Sequence, residues 1–189
     1  MKILIVDNLT QNSSHLKKLL KGHNVEFRIY EQLSESDFEE YDLFVLTGTT
    51  QRFMDYIWNK WGDLRVERDL ILRTSKPIIG ICYGAELIAL TNNCKLAKAE
   101  TRIKGNYEIE FDIDIGLDLN KKYIVYGNHR FFISETSDNF EVIAHSGFGP
   151  EIIKHKNKAV YGFLFHPEKE AETTDGDEIF LRILGNFTV

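Results

Sequence analysis

Apolar residues in this chain fall into short blocks at regular intervals, and the spacing inside each block separates strands from helices. Residues 2–7 run Lys-Ile-Leu-Ile-Val-Asp, which reads as a first strand. Residues 10–20 place Leu16, Leu19 and Leu20 among polar neighbours, an amphipathic helix stopped by Lys21-Gly22. Residues 25–30 alternate as a second strand. Residues 43–46 are Leu-Phe-Val-Leu, apolar on both faces and therefore a central third strand. A charged helix over 65–74 leads into a strand over 77–81, and residues 85–90 continue as an apolar helix. This order of strands and helices predicts an α/β fold, doubly wound, with a mainly parallel sheet flanked by helices. Beyond residue 100 the pattern changes. Residues 107–115 alternate, 122–126 and 140–145 are short strands, and 151–155 pairs with 159–165 through the turn Lys156-Asn157-Lys158. Residues 177–184 close the chain as a helix.

No linker, repeat or low-complexity tract interrupts this order. With 189 residues, 43% of them hydrophobic and 12% aromatic, one domain over 1–189 buries a substantial core. A net charge of −6, with scattered Lys and Arg, argues against nucleic acid as a partner. No apolar run approaches the ~20 residues of a membrane span. Cys82 and Cys94 are the only cysteines, and no charged and apolar leader precedes the first strand, so a reducing, cytoplasmic location is expected. Thr10-Gln11-Asn12-Ser13-Ser14 reads as a capped helix start. Tyr56, Trp58 and Trp61 either line a pocket or partner surface or pack locally.

The chemistry concentrates in two motifs. Gly80-Ile81-Cys82-Tyr83-Gly84 joins the strand over 77–81 to the helix after it, the context of a nucleophile elbow. Flanking glycines permit a sharp turn, and a thiol at a helix N-terminus is favoured as thiolate. Cys82 alone would fit a buried small hydrophobe equally well. The second motif, His166-Pro167-Glu168, ends the strand over 159–165. Proline blocks further pairing there, and a carboxylate two residues on suits a base held by an acid.

These residues resemble class I glutamine amidotransferases, whose elbow reads G-I-C-x-G-H-Q and whose second motif reads G-x-x-F-H-P-E. The likeness also covers the strand ending in Asp7-Asn8, the segment ending in Thr47-Gly48, and Asn128-His129-Arg130-Phe131. Thr173-Thr174-Asp175-Gly176 and the bare amidotransferase length point within the family to the GMP synthetase branch. The resemblance implies a flavodoxin-like sheet with an antiparallel strand extension, and glutamine hydrolysis by a Cys82, His166 and Glu168 triad without metal or cofactor. Oxyanion donors are expected from the Tyr83 N–H and from the Gly48-Thr49 loop. Glu86, His129, Arg130 and Phe131 fall at substrate-facing positions. No P-loop or S-G-G-x-D-S nucleotide motif occurs, so a partner synthetase subunit carrying the ATP site is implied.

Four positions depart from the family pattern. Thr49 replaces a glycine, which suggests an oxyanion loop in another conformation or one that needs activation to turn. Ala85-Glu86 replaces His-Gln, placing a carboxylate one helical turn from the thiol. Arg130 replaces a glycine and either pairs with Glu86 or lies exposed on a loop. Two alternatives to the ammonia-supplying subunit follow. One is a stand-alone hydrolase in which Glu86 recognises a cationic γ-glutamyl compound; the other is a degenerate, purely binding relative.

Overall fold

A computed structural model describes residues 1–50, 65–169 and 173–187, so Tyr56, Trp58 and Trp61 lie outside the described residues. Its strands form one nine-stranded sheet in the order β2-β1-β3-β4-β9-β8-β7-β5-β6. The strands are β1 (Lys2–Asp7), β2 (Asn24–Ile29), β3 (Leu43–Leu46), β4 (Ile78–Ile81), β5 (Lys95–Phe111), β6 (Tyr123–Glu135), β7 (Phe140–Ser146), β8 (Gly149–His155) and β9 (Val160–Phe163). The helices among the described residues are α1 (Ser13–Leu19), α2 (Arg65–Arg73), α3 (Tyr83–Thr91) and α4 (Gly176–Gly185), with 3₁₀ turns at Tyr30–Gln32 and Glu35–Glu39. Strands β2, β1, β3, β4 and β9 pair in parallel, with β3 at their centre as its sequence predicts. From β9 through β8, β7 and β5 to β6 every pairing is antiparallel.

Period-two alternation divides the core. Ile3 and Ile5 of β1, with Leu43 and Val45 of β3, face Leu16 of α1 and Ile179, Phe180 and Ile183 of α4. Leu4, Val6, Phe44 and Leu46 face the other way, onto Leu70 and Ile71 of α2 and Leu87 and Ile88 of α3. Both faces of the parallel half are therefore covered, which is why its strands read as continuous apolar runs.

The structure revises several boundaries. Helix α1 begins at Ser13 rather than residue 10, because Thr10 and Asn12 are engaged in the preceding loop. Strand β5 starts at Lys95, with its register shifted between Lys98 and Ile103 against β6. Strand β6 runs through Asn128, His129, Arg130 and Phe131, so these residues belong to an edge strand and not to a loop. No helix among the described residues is long and apolar enough to cross a membrane.

Candidate active site

In a doubly wound sheet, ligands bind beyond the carboxyl ends of the parallel strands. Every principal component of the site follows one of those ends: Asn8 and Asn12 follow β1, Thr47 and Gly48 follow β3, Cys82 follows β4, and His166 and Glu168 follow β9.

Cys82 adopts φ 51° and ψ −106°, a left-handed conformation that costs a non-glycine residue ~1–3 kcal/mol. The strain is held from both sides: the Cys82 N–H donates to the Phe163 carbonyl at 2.7 Å, and its own carbonyl accepts from the Glu86 N–H at 3.0 Å, opening α3. The neighbouring glycines serve close approach instead. A Cβ on Gly80 would lie 2.5 Å from the Gly84 carbonyl carbon, and one on Gly84 would lie 2.2 Å from the Leu46 carbonyl oxygen. The two glycines thus let α3 settle against β3 and β4 with the thiol at its N-terminus.

His166 is nearly buried, and its Nδ1 lies 2.8 Å from Glu168 Oε1. Its remaining nitrogen is available to Cys82, with which it shares a hydrogen bond. Burial pulls the imidazole pKa down, but the charges of Cys82 and Glu168 and hydrogen bonds to both outweigh it and raise the pKa to about 10. Glu168 shows the converse balance. Burial pushes its pKa up, yet the His166 charge and hydrogen bonds from His166 and Asn12 hold it below the usual carboxylate range. The His166 N–H donates to the Tyr126 carbonyl at 2.8 Å, so β6 grips the base through its backbone.

Gly48 abuts this pair. A Cβ there would stand 3.1 Å from His166 Cε1 and 3.4 Å from Cys82 Cβ. The Gly48 backbone therefore packs directly against the Cys82–His166 pair, and Tyr83, the first residue of α3, follows the thiol. Thr49 follows without a left-handed φ, so the loop holds its place without the conformation that favours glycine.

The structure brings only some of the candidate substrate-facing residues together. Glu86 is buried and feels the charge of His166, but burial dominates and raises its pKa to about 8. Burial thus favours the neutral carboxyl over the expected carboxylate, and a neutral carboxyl, like an amide side chain, can both donate and accept hydrogen bonds. Arg130 lies exposed on β6, and among the described residues no ion pair joins it to Glu86; the pairing alternative is set aside. Phe131 is half-buried, with Lys98 Nζ 5.6 Å from its ring centre. His129 points inward. Its Nδ1 is 2.7 Å from the Phe131 carbonyl oxygen, and desolvation lowers its pKa, helped by the charge of His166.

Two groups near the triad are not marked by the sequence. Asn12, a helix-start residue by its position, donates its side-chain amide to Glu168 Oε1 at 2.7 Å. Tyr107 donates to Glu151 Oε2 at 2.8 Å, and Ser146 donates to the other oxygen at 2.7 Å. Burial raises the Glu151 pKa to about 7 against these two bonds. Tyr107 also lies 3.5 Å from His129 Nε2, and its phenol feels the charge of Cys82, so this buried network backs the site. Asp175, in the Thr173-Thr174-Asp175-Gly176 stretch, accepts from the Ile124 N–H at 2.7 Å and ties the start of α4 to β6.

The family model for glutamine amidotransferase class-I matches residues 4–185. The chain belongs to this family. Among its relatives, a glutamine-hydrolysing GMP synthase subunit of Methanosphaera stadtmanae is 28% identical over 188 residues, covering 95% of both chains. The corresponding GMP synthase subunit of Methanocaldococcus jannaschii is 33% identical over 123 residues, which span 62% of this chain and 65% of the relative. A crystal structure from Thermoplasma acidophilum, provisionally assigned as the same GMP synthase subunit, superposes with a TM-score of 0.85 at 27% identity and covers 100% of this chain and 94% of that one. A glutamine amidotransferase of Thermotoga maritima, 19% identical, shares the fold with a TM-score of 0.71, covering 99% of this chain and 85% of its own. In this class I amidotransferase the elbow cysteine and the strand-end histidine and glutamate lie together beyond the carboxyl ends of the adjacent strands β4 and β9.

Proposed function

We propose that this chain, as one domain over 1–189, is the glutaminase subunit of a two-chain amidotransferase of the GMP synthase type. It releases ammonia from glutamine for a separate, ATP-using synthetase in the cytoplasm. The observation that carries the reading is the convergence of Cys82, His166 and Glu168, with Glu168 on one imidazole nitrogen and the thiol served by the other. Cys82 Sγ attacks the side-chain amide carbon, and the Gly48 and Tyr83 backbone N–H groups receive the oxyanion. His166 protonates the departing ammonia, then takes a proton from the water that cleaves the γ-glutamyl thioester. Glu168 keeps the imidazole oriented through both steps.

A neutral Glu86 favours glutamine over a cationic substrate, because a protonated carboxyl offers hydrogen bonds without the charge that would select an ammonium group. The test is ammonia release from glutamine and from cationic γ-glutamyl amides, with and without a synthetase subunit recovered by pull-down. Glutamine is expected to be preferred and its turnover to rise with the synthetase. Cys82→Ala is expected to abolish both turnover and labelling by a glutamine-analogue electrophile. Preference for a cationic amide, or labelling that survives Cys82→Ala, would overturn the reading.

A further inference from the structure

Asn12 stands at the N-cap of α1, where an asparagine side chain normally accepts a hydrogen bond from the first helical turn. Here it makes no capping hydrogen bond. It is buried, and its amide nitrogen donates instead to Glu168 Oε1, the same oxygen that faces His166 Nδ1. The loop that delivers it is tied at each step. Thr10 N–H donates to Asp7 Oδ1 at 2.9 Å, and Asn12 N–H donates to Thr10 Oγ1 at 3.1 Å. Leu9 takes a left-handed φ of 64°, and its carbonyl accepts from Thr50 Oγ1 at 3.1 Å. Asn8 meets the other end of the Gly48 segment: its N–H donates to Thr47 Oγ1 at 2.9 Å and its side-chain amide to the Thr47 carbonyl at 3.3 Å. One short loop therefore touches both the oxyanion segment and the triad carboxylate.

We propose that Asn12 is a positioning residue of the catalytic unit, and that the β1–α1 loop it closes holds Glu168 and the Gly48 segment in a common frame. The inference rests on the triad reading above. Glu168 Oε1 has two donors, His166 Nδ1 and Asn12 Nδ2, whereas its other oxygen is buried without a partner among the described residues. With Asn12 removed, the imidazole is the one side chain left to hold Glu168 Oε1, and the carboxylate gains freedom to turn about that bond. The base then loses its orientation without losing its charge partner. The expected signature is a fall in kcat with little change in KM.

The experiment compares Asn12→Ala and Asn12→Asp with the unaltered chain from pH 5 to 9, using glutamine hydrolysis in the presence of the synthetase. A second readout needs no substrate: the rate of Cys82 alkylation by iodoacetamide, followed by mass spectrometry. Asn12→Ala is expected to lower kcat on the order of tenfold at every pH, with KM within about twofold, and to slow alkylation. In Asn12→Asp the new carboxyl donates to Glu168 only while protonated. Its activity is therefore expected near that of the unaltered chain at the acid end and to fall below Asn12→Ala as the two carboxylates come to repel each other. A kcat within twofold in both variants would overturn the proposal, as would losses identical in size and independent of pH. If Asn12→Ala fails to fold, as judged by circular dichroism, Asn12→Ser takes its place. If the unaltered chain releases no ammonia while Asn12→Ala still slows alkylation, the substrate assignment fails and the positioning role stands.

Discussion

Replacing Glu86 by glutamine separates a buried neutral acid from a buried carboxylate by stability alone. The Glu86 carboxyl lies in the first turn of α3, where the helix dipole favours a negative charge, yet burial wins and moves its pKa from 4.5 to about 8. Between those values the folded chain holds a proton that the unfolded chain has released. Stability must therefore fall as pH rises through this window. At roughly 1.4 kcal/mol for each pH unit, and allowing for partial titration near the upper limit, the loss between pH 6 and pH 8 is about 2 kcal/mol. Glutamine keeps the size and polarity of the neutral acid and does not titrate. Urea denaturation of both proteins at pH 6, 7 and 8 should show the advantage of Glu86→Gln growing by about 2 kcal/mol, or ~4–8 °C in Tm for a chain of this size. Glu67 and Glu151, whose pKa values burial raises to about 7, titrate in both proteins and cancel in the difference. An advantage that stays constant from pH 6 to pH 8 would refute the argument and show Glu86 ionised in the folded chain despite its burial.

Gly84→Ala should destabilise the chain by about 3 kcal/mol in urea denaturation, because the added Cβ meets the Leu46 carbonyl oxygen at 2.2 Å, a backbone atom that cannot swing aside. Tyr107→Phe leaves the buried Glu151 with Ser146 as its remaining side-chain donor and should cost ~1–3 kcal/mol by the same measurement. Thr49→Gly should change the basal kcat for glutamine by less than about twofold, since Thr49 adopts no conformation that glycine alone tolerates. Raising pH through about 10 should remove the proton from His166. Its raised pKa makes that contribution to stability complete below pH 6.5 and absent above 10, so in Cys82→Ala, which removes the partner charge, the Tm decline over this range should be shallower.

The parallel half of the sheet is legible in the sequence because its strands are buried on both faces. Runs such as Ile3 to Val6 and Leu43 to Leu46 then carry an unambiguous apolar signal. The elbow and the strand-end histidine are legible for the same reason, each lying at the end of such a run. Strand β5 is marked by its sequence only from residue 107. Its earlier half, Lys-Leu-Ala-Lys-Ala-Glu-Thr-Arg, pairs with β6 away from the core and is mostly exposed, so no burial period marks it. The same edge position conceals that Asn128 to Phe131 is strand. Asn12 is visible as a capping residue by type, but its true partner lies 156 residues away, and local sequence carries no trace of so distant a bond. Glu86 stands out by position. Its protonation state depends on burial by surrounding elements, which one side chain's identity does not reveal.

Strand β9 lies between β4 and β8, and it alone joins the parallel half of the sheet to the antiparallel half. As the chain emerges from a ribosome, β1, β2, β3 and β4 can assemble with the thiol already at its turn, but the base and its carboxylate arrive only with the last strand. The Cys82 N–H has no Phe163 carbonyl to bind until then, and the strained turn is held only from the α3 side, through the Glu86 N–H. Insertion of β9 thus closes the sheet and arms the nucleophile in a single late event, so a nascent or truncated chain lacking that strand carries the cysteine as an ordinary thiol.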